Sequence, residues 1–175
     1  MHPDDTTHNP FDAERLLGVL GEEGVAYVLI GGYAAQLHGA GRPTVDIDVT
    51  PARDHENLTR LTAALQRLNA RIRTPDEPEG LPFATSAAAL RGLKMLNLVT
   101  KFGELDLAFP PAGTDGYESL SANATPHTIG TLVVRVASLD DVIRSKETAN
   151  RAKDLDALPE LHHLADRQRA TKFVI

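Results

Sequence analysis

Cysteine is absent from the chain. This excludes disulfide frameworks, thiolate zinc sites and cysteine nucleophiles, and nothing points to an oxidising compartment. No stretch approaches the ~20 apolar residues that are needed to span a bilayer. The first nine residues are polar and acidic, unlike a basic segment that leads into an apolar run. We therefore expect a cytoplasmic protein with a disordered tail over residues 1–9 and no membrane partner.

Positive charge and common nucleotide-binding loops are also scarce. The formal net charge is −6, which argues against a protein that coats nucleic acid through bulk electrostatics, because such affinity comes from Lys and Arg that neutralise phosphates. A local basic patch is still compatible with this charge. Neither a Walker loop nor a GxGxxG fingerprint occurs, so P-loop and dinucleotide-binding proteins lose support.

The length and apolar content fit one domain. A chain of 175 residues with 42% apolar residues can bury a core without disulfides or a structural metal. Helical and strand patterns alternate without an internal repeat, which predicts an α+β fold with a mixed β-sheet flanked by helices. We expect a single domain over residues 10–175, with a C-terminal helical part from about residue 138.

Hydrophobic spacing predicts the individual elements. Apolar residues at helical intervals indicate helices, and short β-branched or alternating runs indicate strands. The predicted helices cover residues 11–23, 33–38, 55–68, 140–150 and 155–169, and one more helix is expected between the exposed loop at 74–80 and the strand at 95–100. The predicted strands cover residues 26–30, 44–49, 95–100, 104–109 and 131–136. The third and fourth strands are spaced as a hairpin with glycine at its turn.

Two aspartates share one face of a predicted strand. Residues 44–49 alternate strictly, so Asp46 and Asp48 point the same way. Asp106 lies on a later alternating strand, and pairing of the two strands would bring three carboxylates together. Three like charges in one patch are unfavourable without a cation, so the pattern favours a site for Mg²⁺ or Mn²⁺. A solvated strand face is the alternative on spacing alone.

A pair of glycines separates the first predicted strand from the helix that follows. Gly31 and Gly32 would let backbone amides approach a phosphate, and the start of a helix adds partial positive charge. By itself this is a weak signal, because glycines often only close turns. The order of strand, Gly-Gly turn, helix and Asp-x-Asp strand is more informative.

That order carries a family resemblance. Residues 29–35 (LIGGYAA), followed by residues 42–48 (RPTVDID), resemble the nucleotidyltransferase superfamily with its DNA polymerase β-like fold, and within it the AbiEii and MenT toxin-like branch. Residues 141–154 are similar to the Lys, Arg and Lys-Asp signature late in those proteins. Ala152 stands where many relatives carry Pro, and Tyr33 stands where many members carry Ser. The resemblance covers about residues 26–161 and implies a nucleotidyltransferase fold with C-terminal helices.

The resemblance also implies roles for particular residues. Asp46, Asp48 and Asp106 would bind metal and act in catalysis, and Lys146 would be a further catalytic residue that faces the triphosphate. Asp154 could orient Lys146 or Arg151, although a solvated, charged helix end is the alternative. The candidate nucleotide-binding residues are Gly31, Gly32, Tyr33, Arg42, Thr44, Arg151 and Asp154.

The leading hypothesis is the transfer of a nucleoside monophosphate from an NTP to an acceptor hydroxyl, with Asp106 deprotonating or positioning that hydroxyl. The resemblance implies an RNA acceptor such as the 3′ end of tRNA, a toxin role, and a cognate antitoxin or kinase for which Thr44 is a target. An RNA acceptor requires clustered cations, for which seven residues are candidates: Lys94, Lys101, Arg135, Arg144, Lys146, Arg151 and Lys153. The alternatives are a non-catalytic nucleotide-binding or regulatory protein, and a transferase that acts on a small molecule or a protein.

Overall fold

The structure is a computed structural model that describes residues 11–173, so the predicted tail over residues 1–9 lies outside the described residues. The described part of the chain contains seven helices and seven strands. The helices are α1 (Ala13–Glu22), α2 (Gly31–Leu37), α3 (His55–Arg67), α4 (Ala87–Arg91), α5 (Tyr117–Asn123), α6 (Leu139–Ala149) and α7 (Ala152–Lys172). The strands are β1 (Tyr27–Ile30), β2 (Asp46–Pro51), β3 (Arg71–Ile72), β4 (Met95–Thr100), β5 (Gly103–Ala108), β6 (Thr125–Ile129) and β7 (Leu132–Val136).

All seven strands form one mixed sheet in the order β3-β4-β5-β2-β1-β7-β6. The β2 strand pairs parallel with β5 and antiparallel with β1, and β4 and β5 form the predicted hairpin. The mixed sheet with flanking helices confirms the predicted fold class. None of the described helices is both long and apolar enough to cross a membrane.

The apolar side chains of the central strands enter the core, while their polar neighbours face the other way. On β2, Ile47 and Val49 are fully buried, whereas Asp46 and Asp48 are only partly buried. Leu105 and Leu107 repeat this pattern on β5. The same core includes the buried leucines of α1 and α3, two helices that contact each other. The alternation therefore leaves one sheet face free to carry carboxylates.

Side chains that accept hydrogen bonds from backbone N–H groups cap several helices close to the predicted boundaries. Asp12 caps α1, Asp54 caps α3, and Ser138 caps α6 by accepting a hydrogen bond from the backbone N–H of Asp141. The helix α7 begins at Ala152 rather than at the predicted residue 155. Its start is earlier because the Asp154 carboxylate accepts a hydrogen bond from the backbone N–H of Arg151.

Other predicted boundaries also differ from the structure, and three elements are missing from the prediction. The β2 strand begins at Asp46, not at residue 44, and Val45 is 69% exposed because it precedes the paired region. The α2 helix begins at Gly31 itself rather than at Tyr33. The strands β3 and β6 and the helix α5 were not predicted. Each is short, and β3 and β6 are the two edge strands, so neither needs a continuous apolar pattern.

Candidate active site

Three carboxylates meet on the polar face of the sheet. The parallel pairing of β2 with β5 places Asp48 directly opposite Asp106, and Asp46 lies two residues earlier on the same face. One carboxylate oxygen from each of the three residues lies within 4.8 Å of the other two. The structure thus brings together the three residues that the sequence predicted as a cluster, although only the strand order makes them neighbours.

The electrostatics of the cluster are those of a cation site. Burial raises the pKa of Asp48 to about 7, and the charges of Asp46 and Asp106 add to this effect, while Lys153 and Lys146 oppose it. Burial also raises the pKa of Asp106. Converging carboxylate oxygens are the ligands that Mg²⁺ prefers. The donor set therefore fits a magnesium-type ion, whose charge would offset the repulsion among the carboxylates.

Gly31 allows the first strand to approach the carboxylates closely. Its φ of +71° lies in the left-handed region, and a Cβ atom at this position would lie 2.3 Å from Asp48 Oδ2. Gly32 has an ordinary φ, and a Cβ there would lie 3.3 Å from Thr44 Oγ1. Gly31 is thus required both by its left-handed backbone and by the lack of space for a side chain, whereas Gly32 is only closely packed against Thr44.

We expect Gly31→Ala to lower the melting temperature and to abolish Mg²⁺ binding, because the added methyl group must displace the Asp48 carboxylate. The left-handed backbone adds a strain of about 1–2 kcal/mol. Thermal unfolding with and without Mg²⁺ measures both effects. The matched variant Gly32→Ala should retain the Mg²⁺-dependent rise in melting temperature. Equal behaviour of the two variants would contradict the close contact with Asp48.

A second charged cluster lies at the junction of α6 and α7. The Asp154 carboxylate is only 1% exposed; Arg151 Nε donates to it at 2.6 Å, and Lys146 Nζ lies 3.6 Å from its other oxygen. Burial by itself would raise the pKa of Asp154, but the hydrogen bonds and charge of Arg151, together with the charge of Lys146, hold it below its usual value. Asp154 therefore anchors both cations.

We expect Asp154→Asn to destabilise the fold by about 1–3 kcal/mol, because it leaves Lys146 and Arg151 without their shared counter-charge. The pKa of Asp154 is lower in the folded state, so its ionised form contributes stability above pH ~4 that is lost as the pH falls further. Denaturant unfolding at pH 7 and pH 3 tests this: the difference from the wild type should shrink at pH 3. The exposed Asp156→Asn is the control. A difference that does not depend on pH would contradict the electrostatic explanation.

Both clusters line one cleft of about 950 Å³. Ten of the eleven predicted site residues contribute to its lining; Tyr33 does not, and its ring packs edge-to-face against Phe11. Thr44 Oγ1 donates a hydrogen bond to Asp46 Oδ1. Arg42 donates to the backbone carbonyl of Lys153, which ties the segment before β2 to the start of α7. The residues predicted to bind nucleotide thus lie, apart from Tyr33, around the carboxylates.

The seven candidate cations do not all gather at the cleft. Lys146, Arg151 and Lys153 line it, but Arg135 donates to backbone carbonyls of Ser121 and Ala124 at the other side of the sheet. Lys101 lies over the Phe102 ring in the β4–β5 turn. Arg42, which the sequence predicted as a nucleotide-binding residue, and Arg73, which it did not single out, also line the cleft. Three of the seven candidate cations therefore line the cleft.

Arg73 is a site residue that sequence reasoning missed. Its Nη2 donates to Asp106 Oδ1 at 3.0 Å and lies 3.6 Å from Glu104 Oε2. Arg73 follows the edge strand β3, and its backbone N–H donates to Asn97 of β4. Its side chain therefore reaches across β4 to the third carboxylate on β5. No local pattern predicts such a contact, because it depends on the order of the strands.

The comparisons with known proteins rest on structure alone. No protein-family profile matches the chain, and no curated protein matches it. Among solved structures, the lincosamide antibiotic adenylyltransferase LnuA, bound to lincomycin, superposes with a TM-score of 0.58 at 15% identity, covering 88% of this chain and 98% of that one. This chain has a nucleotidyltransferase fold.

Two structures of the antibiotic-resistance factor ANT(2'')-Ia agree with this assignment. The solution structure gives a TM-score of 0.52 at 18% identity and covers 91% of each chain. The complex with adenylyl-2''-tobramycin gives a TM-score of 0.51 at 17% identity, covering 91% of this chain and 95% of that one. At such identities the similarity establishes the fold and not the substrate. It confirms the superfamily fold that the sequence resembles, while the toxin-like branch stays a prediction.

Proposed function

We propose that this chain is a magnesium-dependent nucleotidyltransferase that moves a nucleoside monophosphate from an NTP to an acceptor hydroxyl. One observation carries the proposal: the cluster of Asp46, Asp48 and Asp106 shares a cleft with Lys146 and Arg151. The cationic side chains lie close enough to act on the carboxylates, since Lys146 and Lys153 lower the pKa of Asp48. A site of this kind offers charge complementarity both to a metal ion and to a polyphosphate.

The three carboxylates would hold Mg²⁺, or Mn²⁺, which when bound supplies charge neutralisation for the polyphosphate. Gly31 and Gly32 permit a close approach of phosphate oxygens to the backbone. Lys146, Arg151 and Arg42 bind the triphosphate by charge-assisted hydrogen bonds, and Thr44 adds a hydroxyl. Asp154 positions Lys146 and Arg151. Tyr33 would contact the nucleotide only after a change of its side-chain packing.

Asp106 is the group that we assign to the acceptor hydroxyl. Burial raises its pKa, which makes its carboxylate a better proton acceptor than an exposed aspartate. Arg73 donates a hydrogen bond to one of its oxygens, which restrains the orientation of the carboxylate. In this assignment the proton of the acceptor hydroxyl passes to Asp106 as the hydroxyl oxygen bonds to the α-phosphorus and pyrophosphate leaves.

The sequence resemblance supports RNA, such as the 3′ end of tRNA, as the acceptor. It also supports a toxin role with a cognate antitoxin. Thr44 would be an effective target for an inhibiting kinase, because its hydroxyl bonds to Asp46 and a phosphoryl group there would bring negative charge into the carboxylate cluster. The cations that line the cleft support an anionic ligand, although the triphosphate alone would account for them.

A second class of acceptor is favoured by the structural comparisons. The fold matches an adenylyltransferase bound to lincomycin and an antibiotic-resistance factor bound to an adenylylated tobramycin. By analogy, the acceptor could be a hydroxyl of a small molecule. A non-catalytic nucleotide-binding role is less favoured, since all three carboxylates are present and converge.

Transfer of label from the donor tests the proposal. The full chain is incubated with Mg²⁺ and each α-³²P-labelled NTP in turn, with total tRNA in one series and with lincomycin or tobramycin in another. We expect label in one series and none with the double variant Asp46→Ala, Asp48→Ala. Label in RNA would establish the RNA acceptor, and label in an antibiotic would establish the small-molecule acceptor. Absence of transfer in every series, despite Mg²⁺-dependent NTP binding, would favour the binding-only role.

A further inference from the structure

The strand order places the polar residues of the site one after another across the sheet. From one side to the other, the order is β4, β5, β2 and β1. Asn97 on β4 lies directly opposite Asp106 on β5, Asp106 lies opposite Asp48 on β2, and Asp48 lies opposite Ile30 on β1, just before Gly31. The paired carboxylates of Asp48 and Asp106 therefore have the glycine turn on one side and Asn97 on the other.

Four of the five cations that line the cleft lie on the same side as the glycine turn, and the fifth, Arg73, contacts Asp106 and Glu104. Lys146, Arg151 and Lys153 come from the junction of α6 and α7, and Arg42 joins them through the Lys153 carbonyl. The α6 helix also contacts α2, the helix that starts at Gly31. We name this side, which consists of Arg42, Lys146, Arg151 and Lys153, the donor flank. On the proposed function, the triphosphate occupies it.

Displacement at the α-phosphorus places the attacking and leaving oxygens roughly in line. If pyrophosphate leaves toward the donor flank, the acceptor hydroxyl must approach from the opposite side, across Asp106 and β4. That side is open: Asn97 is exposed, the Met95 side chain is 61% exposed, and the Glu104 side chain is 41% exposed. All three line the cleft. We name Met95, Asn97 and Glu104 the acceptor flank.

The chemistry of the acceptor flank suits a sugar. Asn97 offers an amide that donates and accepts, and Glu104 offers a carboxylate that accepts from hydroxyl groups. In the β4–β5 ladder, Asn97 lies opposite Asp106, and Glu104 lies opposite Val99, two residues before Asp106 on β5. Both side chains therefore stand on the same face of the sheet as Asp106 and close to it. Met95 adds an apolar contact for the C–H face of a ring. A sugar with neighbouring hydroxyl groups would satisfy all three residues.

Resting on the function proposed above, we propose that Asn97 and Glu104 are specificity-determining residues that bind hydroxyl groups of a sugar on the acceptor, next to the hydroxyl that reacts at Asp106. The 3′-terminal ribose of an RNA and the sugar ring of a small molecule share this chemistry. The two sources are separated by the acceptor that is used in the experiment.

Two measurements on the full chain test the assignment. The first is the dissociation constant of α,β-methylene-ATP, a donor analogue that is not cleaved, in the presence of Mg²⁺. The second is the KM for tRNA, lincomycin or tobramycin, whichever accepts label. The variants are Asn97→Ala and Glu104→Gln on the acceptor flank and Lys153→Ala on the donor flank. The control is Gln66→Ala, an exposed residue of α3.

We expect Asn97→Ala and Glu104→Gln each to raise the acceptor KM about tenfold, as for a lost hydrogen bond to a substrate, and to leave analogue binding within about twofold of the wild type. Lys153→Ala should weaken analogue binding and leave the acceptor KM unchanged. The assignment is overturned if Asn97→Ala weakens analogue binding as much as Lys153→Ala does. It is also overturned if the acceptor KM does not change.

The two levels of the proposal fail separately. If the wild type binds the analogue but labels no acceptor, nucleotidyl transfer to these acceptors is rejected. Analogue binding then still tests the position of the donor. Weaker binding by Lys153→Ala together with unchanged binding by Asn97→Ala supports the assignment of the donor and acceptor flanks, and the reverse result rejects it.

Discussion

Replacing Asp48 with asparagine should lower nucleotidyl transfer by about a thousandfold or more and, at the same time, raise the melting temperature of the metal-free protein. The loss follows from the proposed function, in which Asp48 is a ligand of a metal that supplies several kcal/mol to the reaction. The gain in stability follows because Asp48 is a partly buried carboxylate beside two others, and asparagine has nearly the same shape without the charge. The transfer assay and thermal unfolding in EDTA measure the two effects.

The control for this experiment is Asp76→Asn, since Asp76 is exposed in the loop after β3. It should change neither activity nor melting temperature. Transfer that survives in Asp48→Asn would reject this residue as a ligand. An unchanged melting temperature in EDTA would show that the metal-free site tolerates its charge, which the burial of Asp48 argues against.

The stability of the metal-free protein should fall as the pH rises from about 4 to about 8, and Mg²⁺ should restore it. The pKa of Asp48 is about 7 in the folded chain and 3.8 as the reference value. A carboxyl group whose pKa is raised on folding stabilises the fold fully below its unfolded pKa, and this contribution is lost as the pH rises through the folded pKa. The difference corresponds to up to about 4 kcal/mol. Denaturant unfolding in EDTA across this range measures it.

Two comparisons make this prediction specific. In Asp48→Asn, the pH dependence between 4 and 8 should be much weaker, because the titrating group is gone. In the wild type, Mg²⁺ should raise the melting temperature more at pH 8 than at pH 5, since metal binding requires deprotonated ligands. A Mg²⁺ effect that is equal at both values, or a metal-free stability that rises with pH, would contradict the raised pKa.

Local patterns predicted those parts of the fold whose cause is local. The alternation in residues 44–49 placed Asp46 and Asp48 on one face, and the structure confirms it, with the strand starting two residues later. The β4–β5 hairpin and its Gly103 turn were also predicted, and Gly103 has a φ of +119° that favours glycine. The helix predicted over residues 140–150 forms as α6, and Ser138 caps it. In each case neighbouring residues determine the conformation.

The unpredicted elements lack such a signal. The β6 strand contains Pro126 and His127, its side chains are largely exposed, and it pairs with β7 only. A strand at the edge of a sheet can include proline because half of its N–H groups need no partner strand. The α5 helix buries only Leu120, so its residues show no apolar face that would indicate a helix.

The sequence by itself determined the type of chemistry: two aspartates on one strand face, a third on another strand, a glycine turn, and a late segment with Lys146, Arg151 and Asp154. Only the tertiary structure decided which of these groups meet. The β2–β5 pairing joins Asp106 to Asp48, and the reach of Arg73 across β4 joins an unpredicted cation to the site. The physical reason is that side-chain alternation is a property of one strand, whereas strand order depends on packing of the whole chain.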